Sequence, residues 1–304
     1  MRNLPFDQPG RFYRGNLHTH TTRSDGRLPP AEVCAYYRAV GYDFVALTDH
    51  FMERYHYPLT DDASLEADDF ITLVGAELHA GETIASGIWH ILAVGLPPDF
   101  KPNLPDETGP QIAARARAAG AYVAAAHPAW YNLSEADVLA LGAVDAIETY
   151  NGISADHNDR PDSWYMLDVL LAQGHRYFAC ATDDAHFHER HSDVVRGWVQ
   201  VKSESLTRAA VLAALKAGHY YSSTGPQIHD VRIVPGRRAY VRCSPASDIF
   251  VTGTGALSRM SRGSGLRSVE IGLEGFDSPY CRVTVRDAHG GRAWTNPIWF
   301  DSST

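Results

Sequence analysis

Short apolar runs alternate with amphipathic stretches through roughly the first three quarters of the chain. "RGNLHTH" reads as a strand, and "DFVALTDH", "ITLVGAEL", "HILAVGL", "AYVAAAHP", "DAIETYNG" and "YFACATDD" repeat the form. Helical patterns separate most of them. "PPAEVCAYYRAVG" opens on proline and closes on glycine, and "SEADVLALG" opens on a serine cap. "GPQIAARARAAG", "DSWYMLDVLLAQG" and "LTRAAVLAALKAG" complete the series. Alternating strands and helices predict a parallel sheet covered by helices. About seven such units over roughly 220 residues fit a closed or nearly closed barrel better than a two-unit nucleotide fold. No GxGxxG follows a strand to open a helix.

The texture changes after "YYSSTGPQIHD". "HDVRIV", "AYVRCS", "DIFVTG", "SVEIGLEG" and "CRVTVRDAHGGRAWTNPIWF" are short, partly alternating segments split by Gly, Asp and Pro, without a helical period. The division predicts an α/β barrel over residues 1–225 and a small all-β module, sandwich-like and packed on it, over residues 226–304.

Composition narrows the class. The 304 residues are 44% hydrophobic and 21% charged, which is ordinary for a soluble globular protein. No apolar run approaches a membrane span, and "MRNLPFDQPG" lacks a signal-peptide core, so the expected location is the cytoplasm, with no membrane partner. Cys34, Cys180, Cys243 and Cys281 form no CxxC pair and read as buried free thiols. The net charge is -9 and unevenly spread: residues 1–225 carry 17 basic and 29 acidic side chains, residues 226–304 carry 10 and 7. An acidic front part argues against a nucleic-acid polymer as partner and suits carboxylates neutralised by cations.

The chemistry sits where the apolar runs stop. As an isolated feature His-x-His is weak, because 15 histidines make about one such pair expected by chance. Barrel enzymes, however, assemble their sites at the C-terminal ends of strands. The first strand ends in His18 and His20, whose spacing of two puts both imidazoles on one face. The next ends in Asp49 and His50, and "VGAEL" is broken by Glu77. Later strands end in His127, carry Glu148, and end in Asp183, Asp184 and His186. His90 starts its run; an antiparallel hairpin of "ITLVGAEL" with "HILAVGL" would bring it beside Glu77, the alternative being a plain polar strand start. Asp25, in "TTRSDG", is either a turn residue or a turn that also aims a carboxylate into the site. Imidazole with carboxylate and no thiolate suits Zn, Mn or Fe better than Ca. The candidates outnumber the roughly four ligands of one zinc, so two or three divalent metal ions are expected, with a bridging carboxylate.

"HTHTTRSDG", "LTDH", "GAEL", "WHILAVG", "AHP" and "DDAH", in this order, resemble the PHP (polymerase and histidinol phosphatase) superfamily of metal-dependent phosphoesterases over about residues 14–225. The resemblance implies a distorted (β/α)7, TIM-like barrel with a trinuclear metal site. It places His18, His20, Glu77 and Asp184 on one metal. Glu77 bridges to a second, completed by His90 and His127, and Asp25, His50 and His186 hold a third. Asp184 is preferred to Asp183 because its spacing to His186 matches the family's Asp-x-His. "VRDAHGGRAWTNPIWF" resembles the tail of a branch that includes carbaryl-hydrolase-like metallohydrolases.

The implied function is a metal-dependent hydrolase that cleaves a small phosphate mono- or diester by attack of a metal-bridging hydroxide. Glu77, Asp184 and Asp49 are the catalytic candidates, Asp49 as a carboxylate that orients an imidazole or as a strand-end cap. Arg190, Arg196, His188 and Trp130 are substrate-side candidates, beside Tyr131, Glu148 and Asn151. A polar loop or a core role is the alternative for each. Residues 51–70 read as a substrate lid or a long connection. A carbamate, amide or ester metallohydrolase would use the same site, since fold and metals do not fix the substrate. A non-catalytic metal-stabilised interaction protein is disfavoured by the cost of burying so many ionisable groups for stability alone.

Overall fold

Strand β1 (Arg11–Asn16) lies at the centre of one continuous sheet, with β2 (Phe44–Leu47) parallel on one side and β9 (Trp198–Ser203) antiparallel on the other. The computed structural model describes residues 4–84, 87–188 and 193–300. Beyond β2 the order runs β4 (Ile71–Leu78), β5 (Ile91–Val94), β6 (Tyr122–Ala125), β7 (Ala146–Asn151) and β8 (Phe178–Thr182). A two-residue strand, β3 (His50–Phe51), continues β2 and sets His50 level with Glu77 of β4. These strands are near-continuous apolar runs because helices cover one face and side chains fill the other.

The sheet is mixed, where the alternation of strands and helices predicted a parallel one. β5 runs antiparallel to both β4 and β6. The described residues between β4 and β5 contain no helix, and without a crossover the chain returns beside the strand it left. β8 meets β1 beyond the ends of both strands, through one parallel bridge between Thr19 and Ala185. There the His20 amide donates to the Ala185 carbonyl at 2.8 Å.

Among the described residues six α-helices pack on this half: α1 (Pro30–Ala39), α2 (Gly109–Ala118), α3 (Glu135–Ala140), α4 (Gly152–His157), α5 (Trp164–Ala172) and α6 (Arg208–Lys216). Their starts follow local chemistry. Thr108 with Gln111 and Ser134 with Asp137 form capping boxes that satisfy the first free amides of α2 and α3. Gly41 ends the α1 region with φ +84°, a conformation glycine adopts without a Cβ penalty. Gly15 has a different reason: a Cβ there would lie 2.0 Å from the Phe44 ring, so only glycine lets β1 and β2 pack with that ring buried.

On its other side β9 pairs with β10 (Tyr220–Ser223), which pairs with β15 (Arg292–Thr295). The sheet therefore runs without a break into the β-rich C-terminal part. There β14 (Tyr280–Arg286) joins β15 to β12 (Arg238–Thr252), flanked by β11 (Ile228–Val234) and β13 (Ser258–Gly272), with β16 (Ile298–Trp299) on β14. "AYVRCS" and "DIFVTG" form one 15-residue strand, and "SRMSRGSGLR", which has no apolar alternation, pairs along it as the first part of β13. This part has its own apolar core around Val231, Val241, Ile249, Val283 and Val285. Arg282 ties it to α5 through a two-pronged contact with Asp168, 2.9 and 2.7 Å, while lying over the Trp164 ring. No helix of the described residues is long and apolar enough to cross a membrane.

Candidate metal centre

The strand ends converge on Glu77, which lies in β4 with only 1% of its surface exposed. His90 Nδ1 stands 2.6 Å from Glu77 Oε1 and His127 Nε2 3.1 Å from the same oxygen. The β4–β5 pairing is the antiparallel hairpin that was one of two readings open for His90: Glu77 opposes Leu92 and Leu78 opposes Ile91, so Glu77 and His90 are diagonal neighbours on one face. Glu77 Oε2 faces His18 Nε2 at 3.7 Å, His20 Nε2 at 3.6 Å and His50 Nδ1 at 2.6 Å. Asp184 Oδ1 closes the group, 3.3 Å from His18 Nε2 and 3.0 Å from His20 Nε2.

A second group lies toward solvent. Asp25 Oδ2 is 3.2 Å from His50 Nε2, and its Oδ1 is 3.4 Å from His186 Nε2 and 3.6 Å from His20 Nδ1. The His20 and His186 rings stack at 4.1 Å. Asp25 thus stands beside three imidazoles.

These donor atoms suit cations. His18 Nε2, His20 Nε2, Glu77 Oε2, Asp184 Oδ1 and Asp25 Oδ1 are buried without a hydrogen-bond partner, although a buried polar atom is ordinarily paired. Four sets of donors lie within 4.8 Å of one another: His18, His20 and Glu77; His18, His127 and Asp184; His50, Glu77, His79 and His90; and His20, Asp25, His50 and His186. Sets that share members fit adjacent cations with common ligands better than one isolated ion.

Electrostatics agree. Burial would raise the Glu77 carboxyl, but His90, His50, His127 and His18 hold it well below the usual range. Asp184 behaves likewise, burial being overcome by His18, His20 and His186. Burial and the neighbouring charges of His186 and His50 push His20 down to about 3, and burial takes His90 to about 4. His50 goes the other way: burial lowers it, yet Glu77 and Asp25 more than offset that and push it up to about 10. His20 and His90 therefore present neutral imidazoles to ionised carboxylates, the form that ligates.

The carboxylate doublet divides its work. Asp183 accepts from the amides of Val195, Arg196 and Gly197 at 2.9, 2.6 and 2.8 Å and from the Tyr37 hydroxyl at 2.8 Å. It fixes the approach to β9, whereas Asp184 turns into the cluster. His127 (φ 26°) and Asp184 (φ 54°) both have left-handed backbones, which non-glycine residues rarely adopt; such strain gathers at functional sites.

Asp49 does not meet an imidazole. It accepts from the Thr21 amide at 2.7 Å, the Thr21 hydroxyl at 2.9 Å and the Ser24 hydroxyl at 2.7 Å, pinning the turn that carries Asp25. Glu148 holds an imidazole instead: its Oε1 lies 3.0 Å from His18 Nδ1. Its carboxylate also takes the His127 amide at 2.6 Å, Asn151 Nδ2 at 3.0 Å and the Thr182 hydroxyl. Asn151 bridges Glu148 to Asp184 at 3.1 Å and caps α4 through Ser154. Both are therefore buried supports of the cluster.

A cavity of about 280 Å³ opens beside the cluster, walled by Trp130, Tyr131, Ile153, His157 and His188 as well as the ligand candidates. Trp130 stacks on His157 at 4.9 Å, and Tyr131 lies 4.4 Å from the His90 ring. No Lys or Arg is among the described residues lining it. Arg196 faces Asp156 at 3.4 Å and does not line this cavity, and Arg190 lies outside the described residues. The segment 51–70 is anchored at its ends, where Phe51 and Phe70 are buried, and Arg208 of α6 grips Asp61 and Glu66 at 2.5 and 2.7 Å.

One member of the cluster has no counterpart in the sequence reading. His79, 3% exposed, places Nε2 2.8 Å from His50 Nδ1. Its spacing of two from Glu77, the same signal that paired His18 with His20, would have found it.

No protein-family model matches the sequence, and no curated protein matches it. Solved structures do. A two-domain protein from Bacteroides vulgatus, containing a predicted PHP-like metal-dependent phosphoesterase, is similar over 98% of this chain and 99% of its own. The TM-score is 0.51 and the identity 14%, so the likeness is one of fold, in step with the sequence resemblance. A putative metal-dependent phosphoesterase from Bifidobacterium adolescentis matches 57% of this chain and 87% of its own, at TM-score 0.42 and 15% identity. An amidohydrolase from Chromobacterium violaceum, with sulfate bound and no metal, matches 58% and 89%, at TM-score 0.44 and 16% identity.

Proposed function

We propose that this chain is a metal-dependent hydrolase that holds two or three divalent cations, Zn, Mn or Fe, and cleaves a small phosphate mono- or diester in the cytoplasm. The observation that carries the reading is the convergence of His18, His20, His50, His90 and His127 on one buried carboxylate, Glu77, with donor atoms left unpartnered. In this reading the seven strands β1, β2 and β4–β8, tied at the Thr19–Ala185 bridge, form a distorted barrel spanning residues 1–225. Residues 226–304 form the appended β module.

Bound cations would supply Lewis-acid charge and a water acidic enough to ionise near neutral pH. The chain does the rest. Glu77 and Asp184 present ionised oxygens between the histidines and would hold neighbouring cations together. Glu148 keeps the proton of His18 on Nδ1, so Nε2 faces the cluster. Asp49 holds the turn that aims Asp25. Trp130, Tyr131 and His157 form an aromatic wall against which an organic leaving group would pack.

A second reading, hydrolysis of a carbamate, amide or carboxylic ester, is favoured by one observation: the described lining of the cavity has no Lys or Arg to fork onto a phosphate. A hydrolysis panel separates the two. Chelated protein reloaded with zinc, manganese or iron is assayed on p-nitrophenyl phosphate, bis-p-nitrophenyl phosphate and an aryl carbamate. Turnover of a phosphate ester is expected; turnover of the carbamate alone overturns the phosphoesterase reading.

A further inference from the structure

His79 follows β4, and its ring lies 4.3 Å from that of His90 across the hairpin. Three observations fix how it is wired. Its Nδ1 stands 3.1 Å from the backbone carbonyl of Trp89, and a carbonyl only accepts, so Nδ1 carries the hydrogen. Its Nε2 is then a lone pair, and it lies 2.8 Å from His50 Nδ1. Glu77 Oε2 is nearer to that nitrogen, at 2.6 Å, yet has no hydrogen-bond partner, whereas His79 Nε2 meets the hydrogen-bond geometry. The proton of His50 Nδ1 thus points at His79.

We infer that His79 is a positioning residue: a relay from the Trp89 carbonyl through His79 to His50 holds His50 with its proton on Nδ1 and its Nε2 lone pair turned to the group formed with His20, Asp25 and His186. The inference rests on the proposed metal-binding role of that group. His50 Nε2 already faces Asp25 Oδ2 at 3.2 Å. The relay has a firm foundation. Trp89 is 3% exposed, and the His79 carbonyl accepts from Asn103 Nδ2 at 2.5 Å, so neither backbone nor ring is free to turn. His79 also supplies what Glu77 cannot. Once both Glu77 oxygens face cations, the His50 proton needs another acceptor, and the His79 lone pair is in place. Outer partners of this kind tune metal affinity by about 10–100-fold.

The test uses the full chain, chelated and titrated with manganese, with His79→Leu and His79→Gln as variants and thermal unfolding as the check on folding. His79→Leu keeps bulk but has no acceptor, and should weaken the cation held by His20, Asp25, His50 and His186 by about 10–100-fold, leaving the others within about threefold. His79→Gln, whose side-chain oxygen can accept the same proton, should restore most of that loss. Unchanged manganese binding in a folded His79→Leu overturns the inference. Equal loss in both variants overturns it too, in favour of His79 as a direct ligand. Should the leucine variant fail to fold, nitrogen-15 spectra of the zinc-loaded wild type decide: Nδ1 of His50 protonated and Nε2 metal-bound is expected, and the reverse overturns the relay. A wild type that takes up no cation brings down the metal reading itself, an outcome distinct from these.

Discussion

Glu148 grips His18 from behind: its Oε1 lies 3.0 Å from His18 Nδ1, on the side of the ring turned away from Glu77 and Asp184. Both residues are fully buried. The pair fixes which nitrogen of His18 faces the cations, without Glu148 entering the cluster itself. Glu148→Gln should therefore lower metal affinity by about 10–100-fold and leave the fold in place. Metal analysis after dialysis against limiting manganese, beside circular dichroism, checks this. Full metal content in the variant would remove Glu148 from the account.

Glu77 has the opposite role, at the centre. Glu77→Ala removes the oxygens that face six histidines, and should reduce bound metal from two or three ions to at most one per chain. Activity should fall to background. Mass spectrometry under native conditions counts the ions directly.

Metal binding stabilises the folded chain by mass action, by about 2.7 kcal/mol at a free concentration one hundred times the Kd. At about 2–4 °C per kcal/mol, chelation should lower Tm by roughly 5–10 °C, and manganese or zinc should restore it. Calorimetry of chelated and reloaded protein measures it; an unchanged Tm would argue that the cluster is empty in solution.

His50 sets a pH dependence. Burial opposes its charge, yet Glu77 and Asp25 push its pKa up to about 10 from 6.5. Chelated protein at pH 7 thus carries a proton there that a cation must expel, so manganese uptake should release at least one proton. Apparent affinity should fall about tenfold per pH unit on acidification, per proton released. For the chelated chain the sign reverses: a raised pKa gives stability fully present below pH 6.5 and lost as pH rises toward 10. Titration calorimetry in buffers of different ionisation enthalpy measures the proton release.

Much of this was legible in the sequence because strand ends and helix caps are local. Ser134 caps α3 and Gly41 follows α1 where the pattern set them. His18, His20, Glu77, His127 and Asp184 lie where apolar runs stop, and the chain brings them together. What escaped depends on contacts distant in sequence. Glu148, read as a substrate-side or barrel residue, holds His18, and Asp49, read as orienting an imidazole or capping a strand end, holds Thr21 and Ser24, because the partners of each are set by packing. The polar first part of β13 has no period of its own, and is a strand because β12 offers it a ladder. The antiparallel pairing of β5 with β4 was one of two readings open for His90, but its second antiparallel pairing, with β6, had no signal in the sequence.

The two halves of the chain are tied by Arg282. Its guanidinium meets Asp168 with two bonds, 2.9 and 2.7 Å, over the face of Trp164. Asp168 is one-third exposed, so the pair is discounted for solvent. Arg282→Ala should cost about 1–2 kcal/mol, with lost packing included, while Arg282→Lys should recover less than half. Urea unfolding of both variants, with metal content unchanged, checks it.

The cluster itself is tested most directly by anomalous scattering from crystals grown with saturating manganese. Two or three peaks are predicted beside Glu77, each within bonding distance of His18, His20, Asp25, His50, His90, His127, Asp184 or His186, with neighbouring peaks about 3.5–4 Å apart. No peak there, or one ion bound away from Glu77, would contradict the account.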